Sequence, residues 1–413
     1  VADTFTFDAA LSGTASGGLG NDTFTLNAGG SAGTIAGDDG TDEIEGNDAG
    51  NAFVVNAANG GTVNGNAFTG VENLTGGTGA DTFAFSAALT GTADGDAGND
   101  TFTIIAGGSA GTYTGGIGTD EIDGGNTGHA FVVNAADAGT VDGDAFTGVE
   151  NLTGGSGADA FTLDAALTGT VAGGAGDDSF TLNVGGSAAS IDGGADNDTI
   201  IGNDAGNAFV ISAANAGDAN GIAFTGIDNL TGGAATDTFD FTVNDDGGLN
   251  TVDGAGGDDE VSYAGAGGPV TVAIDRFTSI ETLTGSANAG DTLQGTANAD
   301  DFTVDGANSG TAGGIDYSDF ENLEGLGGDV TFTLAAGGSV DSIDGGADND
   351  TIIGNDAGNA FVVNAADAGD VNGIGFAGIE NLSGGSGDDS FSLTGALAGT
   401  ASGLGGSDTF SVG

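Results

Sequence analysis

The sequence predicts an all-β protein built as a parallel β-solenoid, the architecture also called a β-roll or β-helix. Three observations lead to this fold class. A 78-residue pattern recurs, glycine-rich motifs recur within it at offsets of 19, 20 and 39 residues, and short apolar clusters alternate with turn residues. Fixed periods of this kind are typical of solenoids, in which each repeat packs only on its neighbours.

The 78-residue pattern begins with Ala2-Asp3-Thr4-Phe5, and it returns at Ala80, at Ala158 and, with changes, at Thr236. Most apolar clusters inside one copy lie 9 to 11 residues apart. Two strands per coil then give coils of about 19 to 20 residues, so we expect four coils in each 78-residue super-repeat.

Each cluster is rich in Phe, Val, Ile and Thr and is bounded by Gly, Asn and Asp, which indicates strands and turns in alternation. Within Asp22-Thr23-Phe24-Thr25-Leu26, the period of two predicts that Phe24 and Leu26 point into the core. Helix caps followed by a 3.6-residue periodicity are not evident.

The periodicity divides the chain into three segments. Regular super-repeats occupy residues 1–239, the period breaks in residues 240–327, and regular coils return in residues 328–413. The middle segment contains the one proline, Pro269, and the one basic residue, Arg276. We interpret it as degenerate coils that continue the solenoid, with a kink or an inserted loop as the alternative.

The composition bounds the partners. Among 413 residues, 61 acidic residues face one basic residue, and the net charge of −60 argues against a nucleic-acid or anionic-membrane surface. Salt bridges cannot balance this charge, so we expect bound or condensed cations. The alternative is an acidic surface that only confers solubility. Cysteine is absent, no apolar run is long enough to span a bilayer, and the start at Val1 suggests a processed or internal section of a longer protein.

The motif Gly-Gly-x-Gly-x-Asp-x-(large apolar)-x carries the most specific chemistry. Its glycines permit the positive φ angles of a tight turn, and its aspartate places a carboxylate at the end of that turn. Stacked turns then bring carboxylates and carbonyl oxygens together, which are ligands that calcium prefers.

This motif resembles the RTX, or haemolysin-type, calcium-binding nonapeptide repeats of secreted bacterial proteins, which form parallel β-rolls. Six copies match letter for letter, at residues 17–25, 76–84, 115–123, 154–162, 173–181 and 384–392. Looser copies begin at residues 37, 95, 193, 232 and 345. So many copies in phase make the resemblance much more specific than a single match.

The resemblance implies bound Ca²⁺ and a calcium-ligand position at Asp22, Asp42, Asp81, Asp100, Asp120, Asp159, Asp178, Asp198, Asp237, Asp350 and Asp389. Family repeats run in tandem every nine residues, whereas here the motif usually appears once per coil. We therefore expect an interrupted ladder of carboxylates on one side of the solenoid. The alternative is that Gly, Asp and Asn only satisfy turn geometry and hold no ion.

A second landmark, "AFTGVENLTGG" at residue 67, recurs and places Asn73, Asn151, Asn229 and Asn381 at equivalent positions. We interpret these asparagines as turn residues that bond the main chain, with a glycan or ion site as the alternative. Outward threonines such as Thr23 and Thr25 resemble the arrays of ice-binding solenoids, but ordinary β-propensity explains them better.

No catalytic site is expected, so we predict that the chain is not an enzyme. His129 stands alone where other copies have asparagine, nothing near it in the sequence suggests a relay, and we interpret it as a neutral substitution. The turn carboxylates have no Lys, Arg or His partner that would shift their pKa. The glycine-rich turns precede strands and not helices, which argues against phosphate binding.

Together these features predict a secreted structural repeat protein that forms a rigid calcium-stabilised rod or fibre, such as an adhesin stalk, a surface-layer protein or an extracellular matrix filament. We expect it outside the cell or on a bacterial cell surface. Its expected partners are calcium ions and further copies of itself, joined end to end or laterally into filaments, with no nucleic acid and no membrane insertion. The alternatives are an RTX-type module of a secreted carbohydrate-active enzyme or protease, and an ice- or glycan-binding solenoid.

Overall fold

The computed structural model describes all 413 residues and confirms an all-β chain built of stacked parallel strands. The first copy of the 78-residue repeat contains nine strands: β1 (Thr4–Phe7), β2 (Ala10–Leu19), β3 (Thr23–Leu26), β4 (Ser31–Asp39), β5 (Glu43–Glu45), β6 (Ala52–Ala57), β7 (Gly60–Val63), β8 (Asn66–Thr69) and β9 (Asn73–Gly77). The second copy contains β10 (Thr82–Phe85), β11 (Ala88–Asp96), β12 (Thr101–Ile104), β13 (Ser109–Thr114), β14 (Glu121–Asp123), β15 (Ala130–Ala135), β16 (Ala138–Val141), β17 (Asp144–Thr147) and β18 (Asn151–Gly155). The third contains β19 (Ala160–Leu163), β20 (Thr170–Ala175), β21 (Ser179–Leu182), β22 (Ser190–Ala195), β23 (Thr199–Ile201), β24 (Ala208–Ala213), β25 (Ala216–Ala219), β26 (Ile222–Thr225) and β27 (Asn229–Gly233).

The remaining chain has shorter strands and one 3₁₀ turn. The segment with the broken period contains β28 (Thr238–Phe241), β29 (Thr251–Ala255), β30 (Glu260–Ser262), β31 (Thr271–Ala273), the 3₁₀ helix Ile274–Arg276, β32 (Phe277–Thr278), β33 (Thr282–Thr284), β34 (Thr292–Gln294), β35 (Asp301–Gly306), β36 (Ser309–Ala312), β37 (Ile315–Ser318) and β38 (Asn322–Glu324). The last segment contains β39 (Thr331–Leu334), β40 (Ser342–Asp344), β41 (Thr351–Ile353), β42 (Ala360–Ala365), β43 (Ala368–Val371), β44 (Ile374–Ala377), β45 (Asn381–Gly385), β46 (Ser390–Leu393), β47 (Ala401–Leu404) and β48 (Thr409–Val412).

The chain divides into two compact units, one formed by Val1–Asn203 and Gly221–Asn229 and the other by Asp204–Asn220 and Leu230–Gly413. In the first unit, one sheet stacks β1, β3, β5, β9, β11 and β13 in parallel, and a second sheet stacks β10, β12, β14, β18, β20 and β22 in parallel. In the second unit, β28, β30 and β33 form one parallel stack and β31, β34, β38 and β40 form another.

The core is a narrow column of apolar side chains, as the period of two predicts. Phe24 and Leu26 are buried while Thr23 and Thr25 between them are half-buried. Because the register is in phase from coil to coil, like residues lie above each other, and the rings of Phe5 and Phe24 stack with centroids 4.9 Å apart. Burial of about 25 cal/mol per Å² of apolar surface makes this column the main source of stability.

Each copy also contains a three-stranded antiparallel meander that the sequence did not predict. In the first copy β6 pairs with β7 and β7 pairs with β8, while β8 stacks in parallel on β4 and β6 stacks in parallel on β10. The meander therefore fills three successive positions of one sheet wall. Tight turns at Asn64-Gly65, with φ of 50° and 81°, connect β7 to β8.

The expected four coils per super-repeat are wrong, because the meander lengthens one coil. Partners of Phe5 follow at Phe24, Ile44 and Leu74, after 19, 20 and 30 residues. The nine residues from Leu74 to Phe83 then carry the chain only half way round, onto the opposite sheet. Each 78-residue copy thus makes three and a half turns.

No helix of the structure is long and apolar enough to span a membrane.

Candidate functional site

The glycine-rich motif forms the turn that leads into the first strand of each coil. Gly18 adopts a φ of 89°, a conformation that favours glycine. Gly17 is required for a different reason: a Cβ there would meet Oδ2 of Asp22 and would lie 2.8 Å from the carbonyl oxygen of Gly37 in the next coil. The first glycine of the motif therefore makes room for the carboxylate of its own turn.

The motif aspartates are buried and form hydrogen-bonded columns that we call aspartate ladders, with one aspartate, or rung, per coil. The main-chain N–H of each rung donates to Oδ1 of the rung in the next coil. In the second copy, the N–H of Asp81 lies 2.7 Å from Oδ1 of Asp100, and the N–H of Asp100 lies 2.7 Å from Oδ1 of Asp120. All eleven predicted site residues are at most 2% exposed: Asp22, Asp42, Asp81, Asp100, Asp120, Asp159, Asp178, Asp198, Asp237, Asp350 and Asp389.

Each ladder has a residue at its start, which we call the head, and an acidic residue that closes it. Asn51 is the head of the second ladder, since its N–H donates to Oδ1 of Asp81. Glu150 closes that ladder by accepting the N–H of Asp120 at 2.8 Å. Equivalent heads are His129, Asn207 and Asn359, and equivalent closing residues are Glu72, Asp228, Glu281, Glu321 and Glu380.

The sequence analysis missed these heads and closing residues, and it missed two buried rungs, Asp259 and Asp291. The signal was present: "NAFVV" and "VENL" keep the 78-residue period, and the "GAGGDDEV" stretch before β30 is the motif with one glycine displaced. Asp291 follows "GSANAG", which has lost the glycine pattern, so only its position before β34 identifies it.

The ladders alternate between the two edges of the solenoid, so the expected one-sided ladder is wrong. In the first copy the rungs precede β1, β3 and β5, whereas in the second copy they precede β10, β12 and β14 of the opposite sheet. The half turn at the end of each copy causes this exchange. Within the first unit the third ladder, which includes Asp159 and Asp178, returns to the sheet of the first.

The second carboxylate oxygen of most rungs is buried without a hydrogen-bond partner. This holds for Oδ2 of Asp22, Asp42, Asp81, Asp100, Asp120, Asp159, Asp178, Asp198, Asp259, Asp350 and Asp389. At Asp237 the N–H of Gly233 donates to Oδ2 at 2.6 Å. Buried polar atoms without a partner are rare and costly in folded proteins, so these oxygens need a proton or a cation.

The head residue shows what the rung oxygen faces. Nδ2 of Asn51 donates to the carbonyl oxygen of Gly76 at 2.9 Å and to Oδ1 of Asp81 at 2.8 Å. A Cβ on Gly46 would meet that same Nδ2 and the Gly76 oxygen, as a Cβ on Gly17 would meet Oδ2 of Asp22 and the Gly37 oxygen. At a rung, therefore, an oxygen occupies the place of an N–H that faces a carbonyl.

Burial raises the pKa of many rung carboxyls. The pKa of Asp100 rises to about 7, because burial disfavours its charge and Asp120 and Asp81 add repulsion. Burial raises the pKa of Asp178 and of Asp198 to about 6. The same cause raises the pKa of Asp42, Asp81, Asp120, Asp159, Asp259 and Asp350.

The donor set of the ladders fits a hard cation by its chemistry. Each rung supplies a carboxylate oxygen without a partner beside a main-chain carbonyl oxygen, and calcium prefers such ligands. No group of three or more His, Cys, Asp or Glu side chains is placed to hold one ion. A cation in a ladder would therefore rely on one carboxylate per coil together with carbonyl oxygens.

The asparagines of the second landmark bond the main chain, as predicted. Oδ1 of Asn73 accepts the N–H of Thr92 at 2.9 Å, and Oδ1 of Asn151 accepts the N–H of Thr170 at 3.0 Å. Oδ1 of Asn381 accepts the N–H of Thr400 at 3.1 Å. These side chains tie neighbouring coils together.

His129, the head of the third ladder, has two side-chain partners that the sequence analysis did not connect to it. Its Nδ1 lies 2.6 Å from Oδ2 of Asp142, and its Nε2 lies 3.0 Å from Oγ1 of Thr127. The interpretation of His129 as an isolated residue is therefore wrong.

Comparison of the chain with protein-family models and with curated proteins gave no match. The resemblance to RTX repeats rests on the motif residues themselves.

Proposed function

We propose that this chain is a structural segment of a secreted protein, a solenoid scaffold that spaces other parts of an extracellular stalk, surface layer or matrix fibre. The observation that carries the proposal is the continuous stacking of like residues from coil to coil. Phe53, Phe83 and Phe102 stack with centroids 4.7 and 4.9 Å apart, beside a ladder that runs through the same coils. Such stacking gives a stiff body whose length grows with the number of repeats.

Calcium binding along the ladders is part of this proposal. The unpartnered Oδ2 atoms and the net charge of −60 support it, because a bound divalent cation relieves both burial and repulsion. An ion that binds only the folded chain stabilises it by about 2.7 kcal/mol per site at a concentration of 100 times Kd.

The test is thermal unfolding of the full chain in excess calcium and in excess chelator, followed by circular dichroism. We expect the midpoint temperature to fall when calcium is removed and to return when calcium is restored. Magnesium serves as the matched control, because it is smaller and gives up its water ligands less readily. Equal midpoints in calcium and in chelator would refute the calcium role while leaving the scaffold role intact.

The scaffold role has a separate test by electron microscopy of the purified chain. We expect elongated particles, and longer ones when a further 78-residue copy is inserted between the first and second. Compact particles whose dimensions do not change with the added copy would refute the scaffold role, whatever the chelator experiment gives.

A further inference from the structure

The second copy differs from the others at three positions that lie together in space. Thr127, His129 and Asp142 stand where the first copy, 78 residues earlier, has an alanine and two asparagines. The same alanine and asparagines occur in the other two copies that keep this landmark: Ala49, Asn51 and Asn64, then Ala205, Asn207 and Asn220, then Ala357, Asn359 and Asn372. In the Asn copies the side chains bond each other, as Nδ2 of Asn64 does to Oδ1 of Asn51 at 2.9 Å.

In the second copy the three replacements form a hydrogen-bonded chain. Oγ1 of Thr127 lies 3.0 Å from Nε2 of His129, and Nδ1 of His129 lies 2.6 Å from Oδ2 of Asp142. The main chain fixes the acid, because the N–H of Ala130 donates to its Oδ1 at 2.9 Å. A hydroxyl, an imidazole and a carboxylate in this order meet the distance requirements of a nucleophile, a base and an orienting acid.

The partners determine which ring nitrogen carries the proton. An ionised carboxylate only accepts hydrogen bonds, so Nδ1 of neutral His129 donates to Asp142. Nε2 is then the acceptor, and the hydroxyl of Thr127 donates to it. This tautomer is the one that can remove the hydroxyl proton.

Burial holds the base and leaves the hydroxyl accessible. His129 is 7% exposed and its ring lies beside Phe131, with centroids 6.2 Å apart. Its main-chain N–H donates to Oδ1 of Asp159 at 2.6 Å, which ties it to the next coil. Thr127 is exposed in the turn between β14 and β15, where a substrate can reach it.

We propose that Thr127, His129 and Asp142 form a nucleophilic site that hydrolyses small neutral or cationic esters. His129 Nε2 takes the proton of Thr127 Oγ1 as that oxygen bonds to the ester carbonyl carbon. The C–O bond to the leaving alcohol then breaks, and the alcohol oxygen receives the proton from Nε2. Water, deprotonated in turn by His129, attacks the acyl-threonine, releases the acid and restores the hydroxyl. The charge of −60 disfavours anionic esters.

The test measures hydrolysis of p-nitrophenyl acetate by the full chain and by Thr127→Ala, His129→Asn and Asp142→Asn. Each substitution installs the residue that the sister copies carry at that position, so the fold accepts it. We expect Thr127→Ala and His129→Asn to lower the rate by at least about 100-fold. Asp142→Asn should lower kcat and leave KM unchanged, since Asp142 acts only through His129.

A fluorophosphonate probe locates the nucleophile. We expect one label per chain, on Thr127, mapped by mass spectrometry after cleavage at acidic residues, and no label in His129→Asn. Because His129 is the only histidine, its ¹⁵N signals report the tautomer directly, and Asp142→Asn should shift them.

The first copy offers a gain-of-function control. Asn47→Gly, Ala49→Thr, Asn51→His and Asn64→Asp together rebuild the site there, and we expect two labels per chain. Asn51→His alone supplies a buried histidine without its partners and should add none. Hydrolysis that is equal in the wild type and all three loss variants, or a label on another hydroxyl, would overturn the proposal.

Discussion

Heads and rungs of the ladders occupy the same place in the turn, yet they have different needs. At the head Asn51, a side-chain N–H meets the carbonyl oxygen of Gly76, and the carboxylate of Asp81 receives two N–H groups from Asn51. At the rung Asp100, Oδ2 stands in place of that N–H and has no partner. The comparison teaches that a head is satisfied by the chain alone, whereas a rung requires something from the solvent.

The largest expected effect is on pH dependence in the presence of chelator. Burial raises the folded-state pKa of Asp100 to about 7 and that of Asp178 and Asp198 to about 6. A raised folded-state pKa gives stability that is complete below the unfolded pKa and is lost as pH rises through the folded value. Between pH 5 and 8 we expect a loss of roughly 4 kcal/mol, summed over these three groups.

Urea unfolding at pH 5, 6, 7 and 8 measures this loss. The triple variant with Asp100→Asn, Asp178→Asn and Asp198→Asn serves as the control, because it removes the titrating groups and should flatten the profile. A wild-type chain that gains stability from pH 5 to 8 would contradict the prediction.

The next effect concerns the glycine that makes room for a rung. A Cβ on Gly95 would meet Oδ2 of Asp100 and would lie 2.6 Å from the carbonyl oxygen of Gly115, and a backbone oxygen cannot move aside cheaply. We expect Gly95→Ala to destabilise the fold by about 3 kcal/mol, measured by urea unfolding.

The matched control is Gly13→Ala, because a Cβ on Gly13 has no atom within 4 Å. We expect this change to stay within about 0.5 kcal/mol. Equal losses in the two variants would show that the space beside Oδ2 is not what the motif glycine protects.

The smallest effect turns a rung into a head. Asp100→Asn places an N–H opposite the carbonyl of Gly115 and removes one charge between Asp81 and Asp120. At pH 8 in chelator we expect stabilisation by about 1 kcal/mol. In calcium the same variant should be less stable than the wild type, since it lacks a ligand. Destabilisation of equal size in both buffers would show that neither a proton nor an ion acts at the rung.

Local rules predicted much of the fold. The alternation around Phe24 and Leu26 identified the buried face, and the period identified parallel stacking, because like residues must lie above each other in phase. The motif located all eleven predicted rungs. It could not show that their Oδ1 atoms bind main-chain N–H groups, since those donors lie one coil away, about 20 residues along the chain.

The meanders and the sites that depend on them escaped sequence reasoning. The stretch from Phe53 to Phe68 has the same apolar spacing as ordinary coils, so its antiparallel pairing cannot be distinguished by period alone. The meander also brings Asp142 back to His129 across 13 residues, which is why a histidine that looks isolated in the sequence has two partners.

By itself, the sequence determined that the chain is an all-β solenoid, because periodic apolar residues and turn glycines act through local geometry. Only the tertiary structure decided the three and a half turns per copy, the alternation of ladders between two edges, and the contact of Thr127, His129 and Asp142. These features depend on which strand each meander pairs with. That choice is made by hydrogen bonds between distant coils, and the sequence period is the same for either outcome.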